Sequence, residues 1–187
     1  MAAFLQTLKE TAMRLGEATK LKWEDIDLQR RIITLNTPEK HGKPRIFNVS
    51  HKLVNMLASL PRTSNYVFGS PNKTVKASNF YQLRKKLAYK LGNPRLQKIG
   101  LHTFRHWKAT MLYHETKDPV LVMEFLGHRN IDTTLLYIQL DKALFKKDSD
   151  DFIVKTAKTS EEIKGLLEIG FEYVCEKDGI LFFRKRK

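Results

Sequence analysis

One histidine and one arginine are spaced so that they could act together on a phosphate. His102 and Arg105 lie three residues apart at the predicted start of a helix, which puts both side chains on one face. Free N–H groups and the dipole at a helix N-terminus also favour a phosphate there. An arginine can hold two phosphate oxygens, and a histidine can transfer a proton or donate a hydrogen bond. In a basic protein such a pair more often forms a solvated face, so on its own it indicates this chemistry weakly.

A tyrosine further along the chain could supply a nucleophile. Tyr137 follows His128 of the Leu-Gly-His sequence by nine residues. A tyrosine hydroxyl has an ordinary pKa of about 10, so it reacts at neutral pH only beside cations or a base. Arginines and lysines around one phosphate would provide those cations. The ordinary alternative is a tyrosine half-buried in an apolar core.

Two more basic candidates precede the histidine and arginine pair. Arg14 lies in a predicted helix that otherwise faces the core, with Glu17 three residues further on. A surface ion pair between these two residues is the alternative to a functional role. Lys40 and Lys43 lie in a predicted hairpin loop, where a lysine is usually only solvated.

The composition favours a globular protein that binds a polyanion. The 187 residues contain 34 Lys and Arg against 20 Asp and Glu, a formal net charge of +14. Each basic residue that neutralises a phosphate releases counterions and gains affinity, although a basic surface can also serve solubility alone. Cys175 is the single cysteine, which excludes a disulfide scaffold. We expect a cytoplasmic protein, because the sequence shows neither a membrane-length apolar run nor a secretion signal. Nucleic acid is the polyanion that the charge favours, so we also expect association with the nucleoid.

Apolar periodicity, capping residues and turn signals predict a mostly helical α+β protein with one small antiparallel sheet in the N-terminal third and a helix plus β-hairpin at the C-terminus. Ser50 is predicted to cap one helix, Gly127 to end another, and Thr159 with Glu162 to form a capping box. Residues 65–76 are predicted as a loop. The predicted helices include residues 3–19, 78–91, 103–116, 119–127 and 131–140, and the predicted strands 31–35, 45–49, 171–175 and 180–183.

In this order, the candidate residues resemble the catalytic domain of the tyrosine recombinase (phage integrase) family. That family has an Arg in a Thr-Gly-x-Arg-x-x-Glu stretch, a Lys in a hairpin loop, a His-x-x-Arg box, a Leu-Gly-His sequence and a Tyr nine residues later. The resemblance covers residues 4–141, and Ala12 and Met13 are its mild departures near the first arginine. Six residues of this sequence fill the family positions: Arg14, Lys40, His102, Arg105, His128 and Tyr137.

The resemblance implies that Tyr137 attacks a DNA phosphodiester and forms a 3′-phosphotyrosyl bond. Arg14 and Arg105 would then hold the non-bridging oxygens. Lys40 would be the general acid, with Lys43 as the fallback. His102 would act in proton transfer, and His128 would bind the phosphate by a hydrogen bond. ATP is not expected, because the phosphotyrosine bond keeps the energy for rejoining. A metal or another cofactor is not expected either, because two guanidiniums and a lysine would replace a metal and no carboxylate cluster for Mg²⁺ is found. The spacing of His102 and His106 would suit zinc, but no third ligand is evident.

The resemblance also implies a domain organisation and partners. Residues 1–150 would be the catalytic domain, and a helix and β-hairpin in residues 151–187 would form an appendage that acts in assembly, with a tail similar to those of archaeal integrases. Asp148–Asp151 marks the predicted boundary. The family's N-terminal core-binding domain and a helix before the predicted helix that carries the first Arg are not found, so we expect weaker and less specific DNA binding.

We expect double-stranded DNA as partner. Several copies of this chain would bind together on the DNA, with four copies in a full recombination complex. A separate N-terminal integrase fragment is a further possible partner. No membrane partner is expected. Two alternatives stay open: a DNA-binding remnant without catalysis, and a type IB topoisomerase-like enzyme. Whether the Tyr137 helix lies beside the other five residues without DNA is also open. The residues predicted to bind DNA are Lys43, Arg45, Lys73, Lys76, Arg84, Lys85 and Lys86.

Overall fold

The computed structural model describes residues 1–145 and 152–186, which belong to two compact units, Met1–Ala143 and Leu144–Lys187. The predicted boundary at Asp148–Asp151 lies outside the described residues. Among the helices of the described ranges, none is long and apolar enough to cross a membrane. The mostly helical α+β class that the sequence predicts is confirmed.

The first unit contains seven α-helices and one three-stranded antiparallel sheet within its described residues. The strands of the sheet lie in chain order, with Ile33 opposite Phe47. Short 3₁₀ turns at Trp23–Asp25 and Pro94–Lys98 precede the first strand and the fifth helix. The elements are α1 (Ala2–Thr11), α2 (Leu15–Thr19), β1 (Ile26–Asp27), β2 (Ile32–Leu35), β3 (Arg45–Asn48), α3 (His51–Ala58), α4 (Lys73–Lys90), α5 (Leu101–Thr116), α6 (Pro119–Leu126) and α7 (Asp132–Leu144).

The main core of this unit lies between the sheet and the helices α1 and α3. Alternate residues of the strands point inward, as the pattern of β2 and β3 predicts. Ser50 caps α3 as expected, because its Oγ accepts a hydrogen bond from the Leu53 N–H at 3.2 Å. The fully buried side chains of this core include Phe4, Leu8, Leu21, Ile33, Leu53 and Leu57.

The prediction of one helix over residues 3–19 is wrong, because the chain breaks between α1 and α2. Ala12 has a left-handed φ of 52° and Arg14 is extended, with ψ 154°. Apolar residues keep their helical spacing across the break, so the sequence pattern does not reveal it. Buried polar contacts stabilise it instead: the Ala12 carbonyl accepts from Arg105 Nη1 at 2.6 Å, and the Arg14 N–H donates to Glu17 Oε2 at 2.8 Å.

The fourth helix begins five residues earlier than the sequence predicts. Asn72 caps it, with its Oδ1 accepting from the Thr74 N–H at 2.8 Å. The predicted loop over residues 65–76 is therefore wrong at its C-terminal end. Gly127 ends α6 in a left-handed conformation, with φ 66°, as predicted.

The second unit is a three-stranded antiparallel sheet with one helix. Its elements are β4 (Phe152–Ala157), α8 (Ser160–Glu168), β5 (Glu172–Lys177) and β6 (Ile180–Arg186), in the sheet order β4-β6-β5. The capping box of Thr159 with Glu162 and the hairpin turn at Asp178 and Gly179 are confirmed. Strand β4, which pairs along β6, is not predicted from the sequence.

Candidate active site

Two arginines meet at the end of α6 and share one acceptor. Arg105 Nη2 and Arg45 Nη1 donate to the carbonyl of Leu126 at 2.8 and 2.7 Å. This carbonyl lies at the C-terminus of a helix, where the dipole is negative and favours cations. Arg105 is 3% exposed, and burial, reinforced by the charges of Arg14 and Arg45, lowers its pKa to about 10. Its guanidinium therefore remains charged at neutral pH and has a fixed orientation.

Glu17 holds Arg14 and Arg45 on opposite oxygens of one carboxylate. Oε1 accepts from Arg14 Nη1 at 3.0 Å, and Oε2 accepts from Arg45 Nη2 at 2.8 Å. Burial raises the pKa of Glu17, but the charge of Arg45 and the bonded N–H groups outweigh burial, so the pKa lies below its usual value. The Arg14 side chain stays 16% exposed, so it is the more accessible guanidinium.

The loop between β2 and β3 is tied to the same carboxylate. The Glu39 N–H donates to Glu17 Oε1 at 3.1 Å, and the Glu39 carbonyl accepts from Arg14 Nη1 at 3.2 Å. Lys73 of α4 forms an ion pair with the Glu39 side chain. The next residue, Lys40, is exposed and has a left-handed φ of 55°. These contacts fix the backbone from which Lys40 extends.

Two histidines lie one turn apart at the start of α5. The rings of His102 and His106 meet edge to face, with centroids 4.7 Å apart. Burial, together with the charges of His106, Arg105, Arg14 and Lys40, lowers the pKa of His102. His102 is therefore mostly neutral at pH 7, and the charges that act on it come from three separate segments of the chain.

His128 lies just after the turn at Gly127 and bonds to the tyrosine helix. Its Nδ1 is 3.0 Å from Thr134 Oγ1 of α7. Burial and the charges of Arg105, Arg14 and Arg45 lower the pKa of His128 to about 4. The imidazole is neutral at neutral pH, and with Nδ1 bonded to Thr134 its Nε2 is the atom left for a ligand.

Tyr137 lies beside the arginines rather than apart from them. It is 2% exposed, and its hydroxyl is 3.3 Å from Nδ1 of His106. Burial raises its pKa, and the charges of Arg105 and Arg14 oppose that effect. The tyrosine therefore keeps its proton in this state and can donate it to the neutral His106.

Five of the six predicted residues are thus brought together by α2, α5, the turn after α6, and α7: Arg14, His102, Arg105, His128 and Tyr137. The sixth, Lys40, extends from the loop beside them and contributes to the electrostatic environment of His102. Three further residues of the site are not revealed by sequence spacing. The spacing indicates a surface ion pair for Glu17 and a zinc-type pair for His106, and it assigns no role to Thr134. The roles of these residues depend on contacts between distant segments.

Some of the residues predicted to bind DNA are engaged in contacts within the protein, and others are exposed. Arg45 is 6% exposed and bonds to Glu17 and Leu126, so its predicted DNA contact is corrected to a structural role. Lys76 donates to the Phe68 carbonyl and Arg84 to the Ile99 carbonyl, so these two half-buried side chains are already engaged. Lys73 pairs with Glu39. Exposed side chains are found at Lys43, Lys85 and Lys86.

The pair of histidines on α5 has the spacing of a zinc site, but its third ligand is not found. Within residues 1–145 and 152–186, no group of three or more His, Cys, Asp and Glu side chains is placed to hold a metal ion.

Comparison with known proteins assigns the family. The sequence pattern of the phage integrase family matches residues 1–143. The chain belongs to the phage integrase family. It is similar to tyrosine recombinase XerH of Campylobacter jejuni, with 29% identity over 144 residues, 73% of this chain and 40% of that protein. Tyrosine recombinase XerC of Xanthomonas campestris is 30% identical over 145 residues, 74% of this chain and 44% of that protein.

The fold places the chain in the same family. The crystal structure of XerA recombinase superimposes with a TM-score of 0.61 and 27% identity, covering 78% of this chain and 55% of that one. The chain spans less than half the length of the XerH and XerC proteins. The tyrosine recombinase fold expected from the sequence is confirmed, and the site described above lies within residues 1–143, the part that the family pattern matches.

Proposed function

We propose that the chain is the catalytic part of a site-specific DNA recombinase, which breaks and rejoins DNA strands through a 3′-phosphotyrosyl intermediate. The observation that carries the proposal is the convergence of two arginines, two histidines and a tyrosine from four separate segments. Arg105 and Tyr137 interact electrostatically, and Arg14 acts on both of them. A solvated basic surface would not bury and fix these groups.

The two arginines would stabilise the charge that develops on the phosphate. Two of the five N–H groups of Arg105 bond to the carbonyls of Ala12 and Leu126, and these bonds hold the plane of the guanidinium before DNA arrives. Donors oriented in advance need little reorganisation during the reaction, and loss of one typically costs about a hundredfold or more in rate. Arg14, the more exposed of the two, would meet the phosphate first.

The proposed step exchanges one phosphate ester for another. The phenolic oxygen of Tyr137 forms a bond to phosphorus, and the bond from phosphorus to the 5′ oxygen breaks. The phenolic proton passes to a base, for which His102 is the predicted residue, and the 5′ oxygen takes a proton from Lys40. A 5′-hydroxyl then attacks the phosphotyrosine and restores the diester, so no ATP is consumed.

The neutral histidines suit this chemistry. The pKa of His128 is lowered to about 4, so this side chain binds the phosphate as a neutral hydrogen-bond donor through Nε2. The nearly complete burial of Arg105 and Tyr137 limits contact with water, which strengthens electrostatic interactions. We expect neighbouring side chains to shift when a phosphate reaches these two groups.

Double-stranded DNA is the proposed substrate, and the net charge of +14 supports it. We also propose that several copies assemble on DNA, that a separate N-terminal fragment is a possible partner, and that the C-terminal unit acts in assembly. The catalytic domain over residues 1–150, the archaeal resemblance of the tail and the nucleoid-associated location stay predictions.

A trapped covalent complex tests the proposal. The full chain is incubated with duplexes that carry a nick beside a randomised sequence, in EDTA, and the products are separated on a denaturing gel. We expect a DNA band shifted by covalent protein, lost in Tyr137→Phe and kept in Tyr113→Phe. Tyr113 is a matched control, because it packs against the apolar cluster that contains Ala109, Val122 and Tyr137. Salt-sensitive DNA binding without any adduct would contradict strand transfer by this chain and favour a binding module.

A further inference from the structure

The tyrosine helix α7 buries polar side chains and exposes apolar ones. Its buried residues are Thr134, Tyr137 and Asp141. Leu135 and Leu136 on its other face are 41% and 44% exposed. Apolar burial is the usual stabilising term for a helix packed on a protein. In α7 the apolar contact comes from Tyr137 and Leu140, which pack with Ala109, Val122 and Leu126. The buried polar groups of the same face add hydrogen bonds and an ion pair to this attachment.

These three buried residues lie at positions i, i+3 and i+7, so they line one face of α7. Each makes its polar contact with a different histidine. Thr134 bonds to His128 at 3.0 Å, and Tyr137 to His106 at 3.3 Å. Asp141 Oδ1 lies 2.6 Å from Nδ1 of His114 on α5. The contact of the tyrosine itself is the longest of the three.

Asp141 has the strongest set of partners. Besides His114, its second oxygen Oδ2 lies 2.6 Å from Nζ of Lys117. Lys117 caps the C-terminus of α5 with a left-handed φ of 54°, a conformation that costs free energy for a residue with a Cβ. The Asp141 side chain is 10% exposed. We call these three residues, Asp141, His114 and Lys117, the α7 clamp.

We propose that Asp141 is a positioning residue, which through the α7 clamp sets where the Tyr137 hydroxyl lies relative to Arg105. The inference rests on the proposed function. His114 and Arg105 belong to the same helix, α5, and Asp141 and Tyr137 belong to the same helix, α7. Asp141 is one turn beyond the tyrosine, at i+4. A movement of α7 that breaks the clamp therefore also displaces the phenol from the arginine.

The test compares Asp141→Asn with Glu115→Gln in the full chain. Glu115 is an exposed carboxylate next to His114, so its replacement controls for the loss of one negative charge. We expect amide hydrogen exchange in residues 134–143 of Asp141→Asn to become about tenfold faster or more, because the variant loses charged hydrogen bonds. Exchange in α3 should stay unchanged, since α3 packs in the main core of this unit, whereas Tyr137 belongs to a separate apolar cluster.

The same variant is then measured with the nicked duplexes. We expect the cleavage rate at saturating DNA to fall about tenfold or more, with DNA affinity within twofold of wild type, because the clamp does not include the phosphate-binding arginines. A general loss of folding would lower both quantities. A cleavage rate that rises would overturn the inference, because the clamp would then hold the tyrosine away from the phosphate.

A second pair of variants tests the clamp in case Asp141→Asn fails to fold. Lys117→Gly removes the ammonium group and also relieves the left-handed backbone, whereas Lys117→Arg keeps the positive charge. We expect faster α7 exchange and slower cleavage in the first and near wild-type values in the second. If Asp141→Asn and Lys117→Gly both exchange and cleave like wild type, the inference is wrong. If wild type forms no adduct, the proposed function fails, and the exchange data still decide whether the clamp holds α7.

Discussion

At the scale of single residues, Glu17 allows two guanidinium groups to lie side by side. Its two oxygens accept four N–H groups, from the backbones of Arg14 and Glu39 and from the side chains of Arg14 and Arg45. Without a carboxylate between them, two cations buried this close would repel each other. The same residue thus positions one arginine of the site, supports another and fixes the loop of Lys40.

We expect Glu17→Gln to destabilise the first unit by about 3 kcal/mol, because removing one partner of a buried ion pair leaves the other charge uncompensated. Urea unfolding measures this loss, and Glu24→Gln, in an exposed pair with Lys22, should change stability little. The folded pKa of Glu17 is lowered, so its contribution is present above the unfolded value of 4.5 and is lost as pH falls through the folded pKa. A difference below 1 kcal/mol at pH 7 would contradict this account.

At the same scale, the sequence identified the residues with unusual chemistry and missed those that support them. His102, Arg105 and Tyr137 are recognised by type and spacing. Thr134 carries no such signal, because a threonine on a helix acquires its role only when His128 lies opposite. His106 was visible only as one half of an i, i+4 pair. Supporting contacts between distant segments depend on tertiary structure and cannot be derived from local spacing.

At the scale of elements, regular patterns were predicted well and interruptions poorly. Strands β2 and β3, the Ser50 cap and the Asp178–Gly179 turn follow from local rules. The break at Ala12 does not, because its stabilising partner is the Arg105 side chain, 93 residues away in sequence. Such long-range contacts can override local helix propensity. The break also has a use, since it frees the Ala12 carbonyl to bind the arginine.

The turn after α6 gives a prediction at this scale. Gly127 has φ +66°, and an added Cβ would lie 2.9 Å from Arg45 Nε and 3.2 Å from the Lys43 carbonyl. We expect Gly127→Ala to cost the left-handed backbone penalty of about 1–2 kcal/mol and, in addition, to displace Arg45. Gly69→Ala is the control, because it has φ +76° and an open surrounding, so it reports the backbone penalty alone. Equal losses in thermal unfolding for the two variants would show that the contact with Arg45 has no energetic weight.

At the scale of the whole molecule, charge is divided unequally between the two units. Residues 1–143 contain 24 Lys and Arg against 11 Asp and Glu, whereas residues 144–187 contain 10 against 9. Each unit also has its own buried apolar cluster. A polyanion is therefore attracted by the first unit, and the nearly neutral second unit is suited to contacts with protein rather than with phosphates.

Deletion of residues 144–187 tests this division. We expect the remaining chain to stay folded, because its core lies within the first unit, and the slope of log affinity against log salt for plain duplex DNA to change by less than about one. Replacement of the exposed Lys85 and Lys86 by Gln in the full chain should instead reduce the slope by up to about two, one for each lost phosphate contact. Both slopes come from a fluorescence anisotropy titration over a range of salt concentrations. A slope reduced by several units on deletion would assign phosphate contacts to the second unit, and the assembly role proposed for it would then have to be shared with DNA binding.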